Sequence, residues 1–143
     1  MPTRNGSAQW RGDLQNGEGT LKVGQSSYEG PYSFKSRFEE GEGTNPEELI
    51  GAAQAACYSM QLSAMLANDG HTPDSVDTTA KVTLRVVDGS PAITKIELET
   101  EGRVPGIDAA TFDDYAKQAK EACLVSRALA GVNEITLSSK LAS

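Results

Sequence analysis

The stretch Thr44-Asn-Pro-Glu-Glu-Leu-Ile-Gly-Ala-Ala-Gln-Ala-Ala-Cys57-Tyr-Ser-Met-Gln-Leu-Ser-Ala-Met-Leu-Ala-Asn-Asp-Gly70 decides the fold. Asn45 is a good N-cap, Pro46 fits the first helical position, where its missing N–H costs nothing, and Glu48 stands three residues past the cap as a capping box requires. At about 100° per residue, Leu49, Ala53, Ala56, Met60, Ala64 and Ala67 fall on one stripe. Ile50, Ala52, Ala55, Leu62, Met65 and Leu66 continue the apolar surface around the cylinder. A helix apolar on most faces is expected to be buried, and one this rich in Ala and Gly lets a neighbour come close. Asn68-Asp69-Gly70 ends it, and Cys57 sits near its middle.

Upstream, Ala8-Gln-Trp10-Arg-Gly-Asp13, the turn Asn16-Gly-Glu-Gly19 and Thr20-Leu-Lys-Val23 form a hairpin signal. Gln25 to Pro31 reads as a loop. Tyr32 to Glu39 alternates aromatic and polar residues, which predicts a third strand with Arg37 on its polar edge. Downstream, Asp77 to Gly89 alternates with Ala80, Val82, Leu84 and Val86 on one face. Ala92 to Glu101 reads as the antiparallel partner, with Lys95, Glu97 and Glu99 outward. Thr111-Phe112-Asp-Asp114 opens a second helix running to Cys123, Ser126 to Gly131 gives a short helical piece, and Glu134 to Leu141 closes as a strand. The order βββ-α-ββ-αα-β predicts an α+β domain over residues 1–143, with antiparallel sheets around the long helix.

With 143 residues, 38% hydrophobic and 23% charged, the chain has apolar material for one core and is expected to be one soluble domain. A net charge of -7 repels phosphate backbones and anionic lipid, so neither nucleic acid nor a membrane surface is an expected partner. The N-terminal residues have no apolar signal segment, and no run approaches the roughly 18 apolar residues of a membrane span, which points to the cytoplasm. Two cysteines in such a compartment are expected to be reduced or redox-active, not a permanent staple.

The residue inventory restricts the chemistry. His71, in a Gly-His-Thr-Pro loop, would allow a Ser-His or Cys-His hydrolase, but loop histidines are usually solvated. Two cysteines and one histidine, without CxxC or HExxH, fall short of a four-ligand zinc set, and the lack of CxxC also argues against thioredoxin-type exchange. No Gly-rich phosphate loop follows a strand. The acidic residues Glu39, Glu40, Glu42, Glu47 and Glu48 read mostly as a solvated approach to the helix. On composition alone a Cys on an Ala-rich helix is a small inert hydrophobe.

The chain resembles the OsmC branch of the OsmC/Ohr family of thiol-dependent hydroperoxide reductases over almost its whole length. The resemblance is carried by Ala8-x-Trp10-x-Gly12-Asp13, Arg37-Phe38-Glu39, Gly43-Thr-Asn-Pro-Glu47 through Cys57, Val104-Pro-Gly-Ile107, and Cys123-x-Val125-Ser126. It implies a peroxidatic cysteine at Cys57, a resolving cysteine at Cys123 that closes a disulfide with it, and Arg37 and Glu47 shaping the thiolate site. It also implies an intertwined homodimer, an organic hydroperoxide substrate, and turnover fed by a dithiol, lipoylated protein being the best known reductant of the Ohr branch. No metal or organic cofactor is implied. In one respect the chain departs from the family: Leu124 stands where Pro usually follows the second cysteine. Pro would fix a helix break there, whereas Leu leaves the preceding helix free to run on.

Glu47 and Cys57 are ten residues apart on one helix, so about 15 Å of axial rise separates them, beyond the span of a glutamate. A shared site therefore requires a second copy to bring its Glu47 end beside Cys57, which predicts a twofold dimer with the site at the interface. Apolar surroundings disfavour a thiolate, so a cation must offset them, and Arg37 is the candidate. An ordinary thiol is about 7% ionised near neutral pH, so full ionisation gains at most roughly 14-fold, about 1.5 kcal/mol. The larger contribution is expected from guanidinium donors that orient the peroxide, with Glu47 holding the fork. Phe34, Phe38, Met60 and Met65 are candidates for an apolar mouth, against a default place in the core. Two rival readings remain at this stage: a non-enzymatic dimeric binding or structural protein on the same fold, and a metal-assisted hydrolase using Cys57, Cys123 and His71.

Overall fold

The computed structural model describes residues 2–25 and 27–143; Met1 and the Ser26 position of the predicted loop lie outside the described residues. The chain divides into two compact units, Met1–Leu49 and Ile50–Ser143.

In the first unit, β1 (Gly6–Arg11), β2 (Glu18–Val23) and β3 (Tyr28–Tyr32) form an antiparallel meander in that order. Gly19 faces Trp10 on one side and Tyr32 on the other. The two rings close over it with centroids 5.4 Å apart, and a Cβ at Gly19 would enter both. The predicted third strand, Tyr32 to Glu39, is displaced: the strand ends at Tyr32, and Phe34–Phe38 is a short helix, α1. A reciprocal cap decides this, since the Ser36 amide donates to Ser33 Oγ (3.1 Å) and the Ser33 amide to Ser36 Oγ (2.8 Å). Phe34 and Phe38 then meet one turn apart, centroids 5.0 Å.

The long helix α2 spans Pro46–Asn68. Asn45 caps it, its Oδ1 accepting from the Glu48 amide at 2.8 Å. The return arm of the box differs, because the Glu48 carboxylate accepts from Thr44 Oγ1 at 2.9 Å. Gly70, at φ 87°, ends the helix, and the His71 amide donates back to the Leu66 carbonyl.

In the second unit, β4 (Ser75–Val87) and β5 (Ser90–Arg103) form a hairpin through Asp88 and Gly89, both at positive φ as a primed turn requires. β6 (Glu134–Leu141) pairs with β5 in parallel, in the order β4-β5-β6. The antiparallel expectation thus holds for the first sheet only; the second is mixed. The reason is the connection: α3 (Ala109–Ala122) and α4 (Leu124–Ala128) carry the chain back along β5 before β6 begins. α3 also starts earlier than Thr111, because Asp108 is the cap, accepting from the Thr111 amide at 2.8 Å.

The core of this unit brings Tyr58, Leu62 and Leu66 of α2 against Leu98, Phe112, Ala116 and Cys123. These α2 residues repeat every four positions, and they are not the stripe singled out from sequence. Ala53, Ala56, Ala64 and Ala67 of that stripe are exposed, and Met60 is 75% exposed. The expectation that α2 is buried on most faces is therefore not met within one chain.

Candidate active site

Both thiols are free, Cys57 half-buried on α2 and Cys123 fully buried at the junction of α3 and α4. The absence of Pro at position 124 does not let α3 run on. Cys123 leaves the helical region (φ -58°, ψ 122°), α3 ends with its amide donating to Ala119 O, and α4 begins with its carbonyl accepting from the Arg127 amide. Leu124 occupies the first position of α4 and is exposed. Burial pushes the Cys123 thiol up, but the polar groups of Ser126, with Cys57 and Val125 nearby, outweigh it. Together they hold it below the ordinary thiol range. The fold thus brings Cys57 and Cys123 side by side across 66 positions of sequence.

Arg37 and Glu47 meet in the first unit. Arg37 Nε donates to Glu47 Oε1 and Nη2 to Oε2, each at 3.0 Å, a bidentate fork. Glu47 lies in the first turn of α2, where the helix dipole favours a carboxylate, and is only 8% exposed. The Asn45 amide nitrogen bonds to Ser36 O at 2.8 Å, tying the start of α2 to α1 beside the fork. Glu47 is therefore not part of a solvated acidic run, whereas Glu39, Glu40 and Glu42 are exposed.

A cavity of about 370 Å³ opens beside Arg37, lined also by Trp10, Leu14, Tyr32, Phe34 and Phe38. Of the four residues named for an apolar mouth, Phe34 and Phe38 line it. Met60 stands exposed on α2, and Met65 packs on the core of the second unit. Trp10, Leu14 and Tyr32 escaped the sequence reading because their approach to Arg37 depends on the strand-to-helix switch at Ser33. His71 packs edge-on against Tyr115, centroids 6.2 Å apart, and no cluster of three or more metal-ligating side chains occurs among the described residues. Among these residues, too, no helix is long and apolar enough to cross a membrane.

Solved structures place the architecture in one class. OhrB of Bacillus subtilis, an organic hydroperoxide resistance protein, superposes with a TM-score of 0.72 at 21% identity, covering 96% of this chain and 98% of that one. An OsmC-like protein from Mycoplasma pneumoniae gives 0.75 at 15% identity, with 99% of each chain covered. The fold is thus that of the OsmC/Ohr proteins. A profile of the OsmC-like protein family matches residues 39–138, and peroxiredoxin OsmC of Escherichia coli (strain K12) is 52% identical over 98% of this chain and 97% of its own length. The chain belongs to the OsmC-like family.

Proposed function

We propose that residues 1–143 form one OsmC-like domain acting as a cysteine-based peroxidase. It reduces organic hydroperoxides, and hydrogen peroxide more weakly, to the alcohol or water. The observation that carries this reading is the pair of free, adjacent thiols Cys57 and Cys123 in a chain half identical to a peroxiredoxin. The Cys57 thiolate attacks the O–O bond; an S–O bond forms, the O–O bond breaks, and the departing alkoxide takes up a proton as alcohol. Cys123 then attacks the Cys57 sulfenic acid, closing the disulfide and releasing water. An external dithiol, a lipoylated protein being the candidate, returns both thiols by exchange. No metal or organic cofactor takes part.

The functional unit is an intertwined homodimer. α2 is continuous from Glu47 to Cys57, so the fork of one subunit serves Cys57 of the other, and the exposed Ala and Met face of α2 supplies an apolar surface for the contact. The fork points guanidinium donors at the developing oxyanion, and the aromatic cavity beside Arg37 suits an organic tail. The protein works in the cytoplasm.

The test is consumption of cumene hydroperoxide and of hydrogen peroxide, with thiol titration before and after. Loss of two thiols per chain with faster reduction of the organic peroxide is expected. No consumption by a folded dimer would leave a non-enzymatic binding protein in its place.

A further inference from the structure

A second cavity, of about 300 Å³, lies in the second unit among the end of α3, α4 and the start of β6. That is room for about ten waters, or for a small organic molecule in their place. Two cations meet there, Lys120 of α3 and Arg127 of α4, against the single carboxylate of Glu121. Lys120, its side chain 28% exposed, reaches Glu121 only at 3.9 Å, and Arg127 enters no ion pair among the described residues. In a chain of net charge -7 this is a local excess of positive charge, set in a concave surface. Ser126 adds a donor. It is 8% exposed, and its Oγ accepts from Nε2 of the fully buried Gln54 at 2.9 Å, which leaves its own proton to be given. Among the described residues that proton enters no hydrogen bond, so it needs an acceptor in the cavity. Asn133 brings a side-chain amide to the wall, and Ala130, Val132 and Ile135 make the rest of it aliphatic.

We propose that this cavity is a binding site for a small aliphatic carboxylate. The headgroup takes the Lys120 ammonium, the Arg127 guanidinium and the Ser126 proton, and the chain lies on Val132 and Ile135. Arg37, the cation beside the aromatic cavity of the first unit, is a poorer host, since Glu47 already occupies two of its donors. An inorganic anion would satisfy the charge here but leave the aliphatic wall uncovered; a neutral alcohol would do the reverse. Glu121 is 82% exposed and held only by the 3.9 Å contact, so it can turn to solvent as the ligand enters. No step of the peroxide chemistry uses these side chains. Lys120 and Ser126 do stand three residues before and three after Cys123, so an occupied cavity ties α3 to α4 across the helix break.

The experiment titrates the reduced, full-length, nitrogen-15-labelled protein with hexanoate as the probe and follows backbone amide shifts by NMR. Parallel titrations use 1-hexanol and inorganic phosphate. Hexanoate should saturate one site per chain with a Kd on the order of 1 mM, moving the amides of α4 and of Val132 to Ile135. Hexanol and phosphate should each bind at least about tenfold more weakly. Arg127→Gln and Lys120→Gln should each weaken hexanoate about tenfold, and Ser126→Ala about threefold. Lys117→Gln, which removes a cation of α3 outside the cavity, should bind as the parent does. Parental affinity in both Arg127→Gln and Lys120→Gln would overturn the site. So would hexanol or phosphate binding as tightly as hexanoate, shifts confined to Trp10 and the residues around Arg37, or no saturable shift up to about 20 mM.

Discussion

Arg37 and Glu47 are joined by two parallel hydrogen bonds of 3.0 Å, from the last turn of α1 to the first turn of α2, with the guanidinium also lying 5.3 Å from the centroid of the Phe38 ring. Glu47 takes the Nε and one Nη of the fork, which fixes its plane and leaves the other Nη directed elsewhere. A point charge cannot reproduce that. Arg37→Lys is therefore expected to lower kcat/KM for cumene hydroperoxide roughly hundredfold, about 2.7 kcal/mol of transition-state stabilisation, with an unchanged circular dichroism spectrum. Glu47→Gln, which keeps one acceptor, should lose less. Parental kcat/KM in Arg37→Lys would show that charge alone suffices.

The exposed α2 face gives a prediction about assembly. Met60, flanked by Ala56 and Ala64 one turn away on either side, is 75% exposed and is the largest side chain on that face. Burying a carboxylate there against a second copy would leave it unpaired. Met60→Glu should shift the protein from dimer to monomer in light scattering and cut peroxide turnover to about a tenth or less, with each chain still folded. A fully active monomer would sink the shared-site reading.

Packing in the second unit can be probed without touching the thiols. A Cβ added at Gly102 of β5 would collide with the ring of Phe112, a fully buried residue of the core. Gly102→Ala should therefore cost about 1–3 kcal/mol in urea unfolding, since the ring must move within a close-packed core. Gly131→Ala, with open space around it, should change stability far less.

The link between α3 and β6 carries a pH dependence. The Lys117 ammonium, 2.8 Å away, and the Ser139 hydroxyl, 2.6 Å away, hold the Asp113 carboxyl below its usual range. A depressed carboxylate contributes stability above its unfolded pKa, and that contribution is lost as pH falls through the folded value. Asp113→Asn should thus be less stable than the parent at neutral pH, and the difference should disappear in acid, once the parent carboxyl is protonated. Lys117 is held above its usual range by the same pair, so its contribution persists at neutral pH and fades only in strong alkali. A difference in melting temperature that persists into acid would contradict the assignment.

Local chemistry made much of this chain legible. Asn45 and Pro46 mark the start of α2 and Gly70 its end, because caps depend on a few neighbouring residues. The β4–β5 hairpin was readable for the same reason, its alternation and its Asp88-Gly89 turn being local. Short motifs mark Cys57, Arg37, Glu47 and Cys123, and helical rise separates Glu47 from Cys57 within one chain, but nothing in the sequence sets Cys123 beside Cys57. At Tyr32 to Glu39 the alternation of aromatics predicts a strand, and the Ser33–Ser36 cap makes Phe34–Phe38 a helix instead.

Only the tertiary structure decided the rest, because it rests on contacts between distant parts of the chain. The parallel placement of β6 follows from the α3–α4 return, which no pattern within Glu134 to Leu141 encodes. Which face of α2 enters the core depends on what packs there: an apolar helix offers several, and Tyr58, Leu62 and Leu66 face β5 and α3 while the Ala and Met stripe remains outside. Sequence alone thus determined that a capped helix carries a thiol at Cys57. Folding determined that Cys123 stands beside it at a helix break held without Pro.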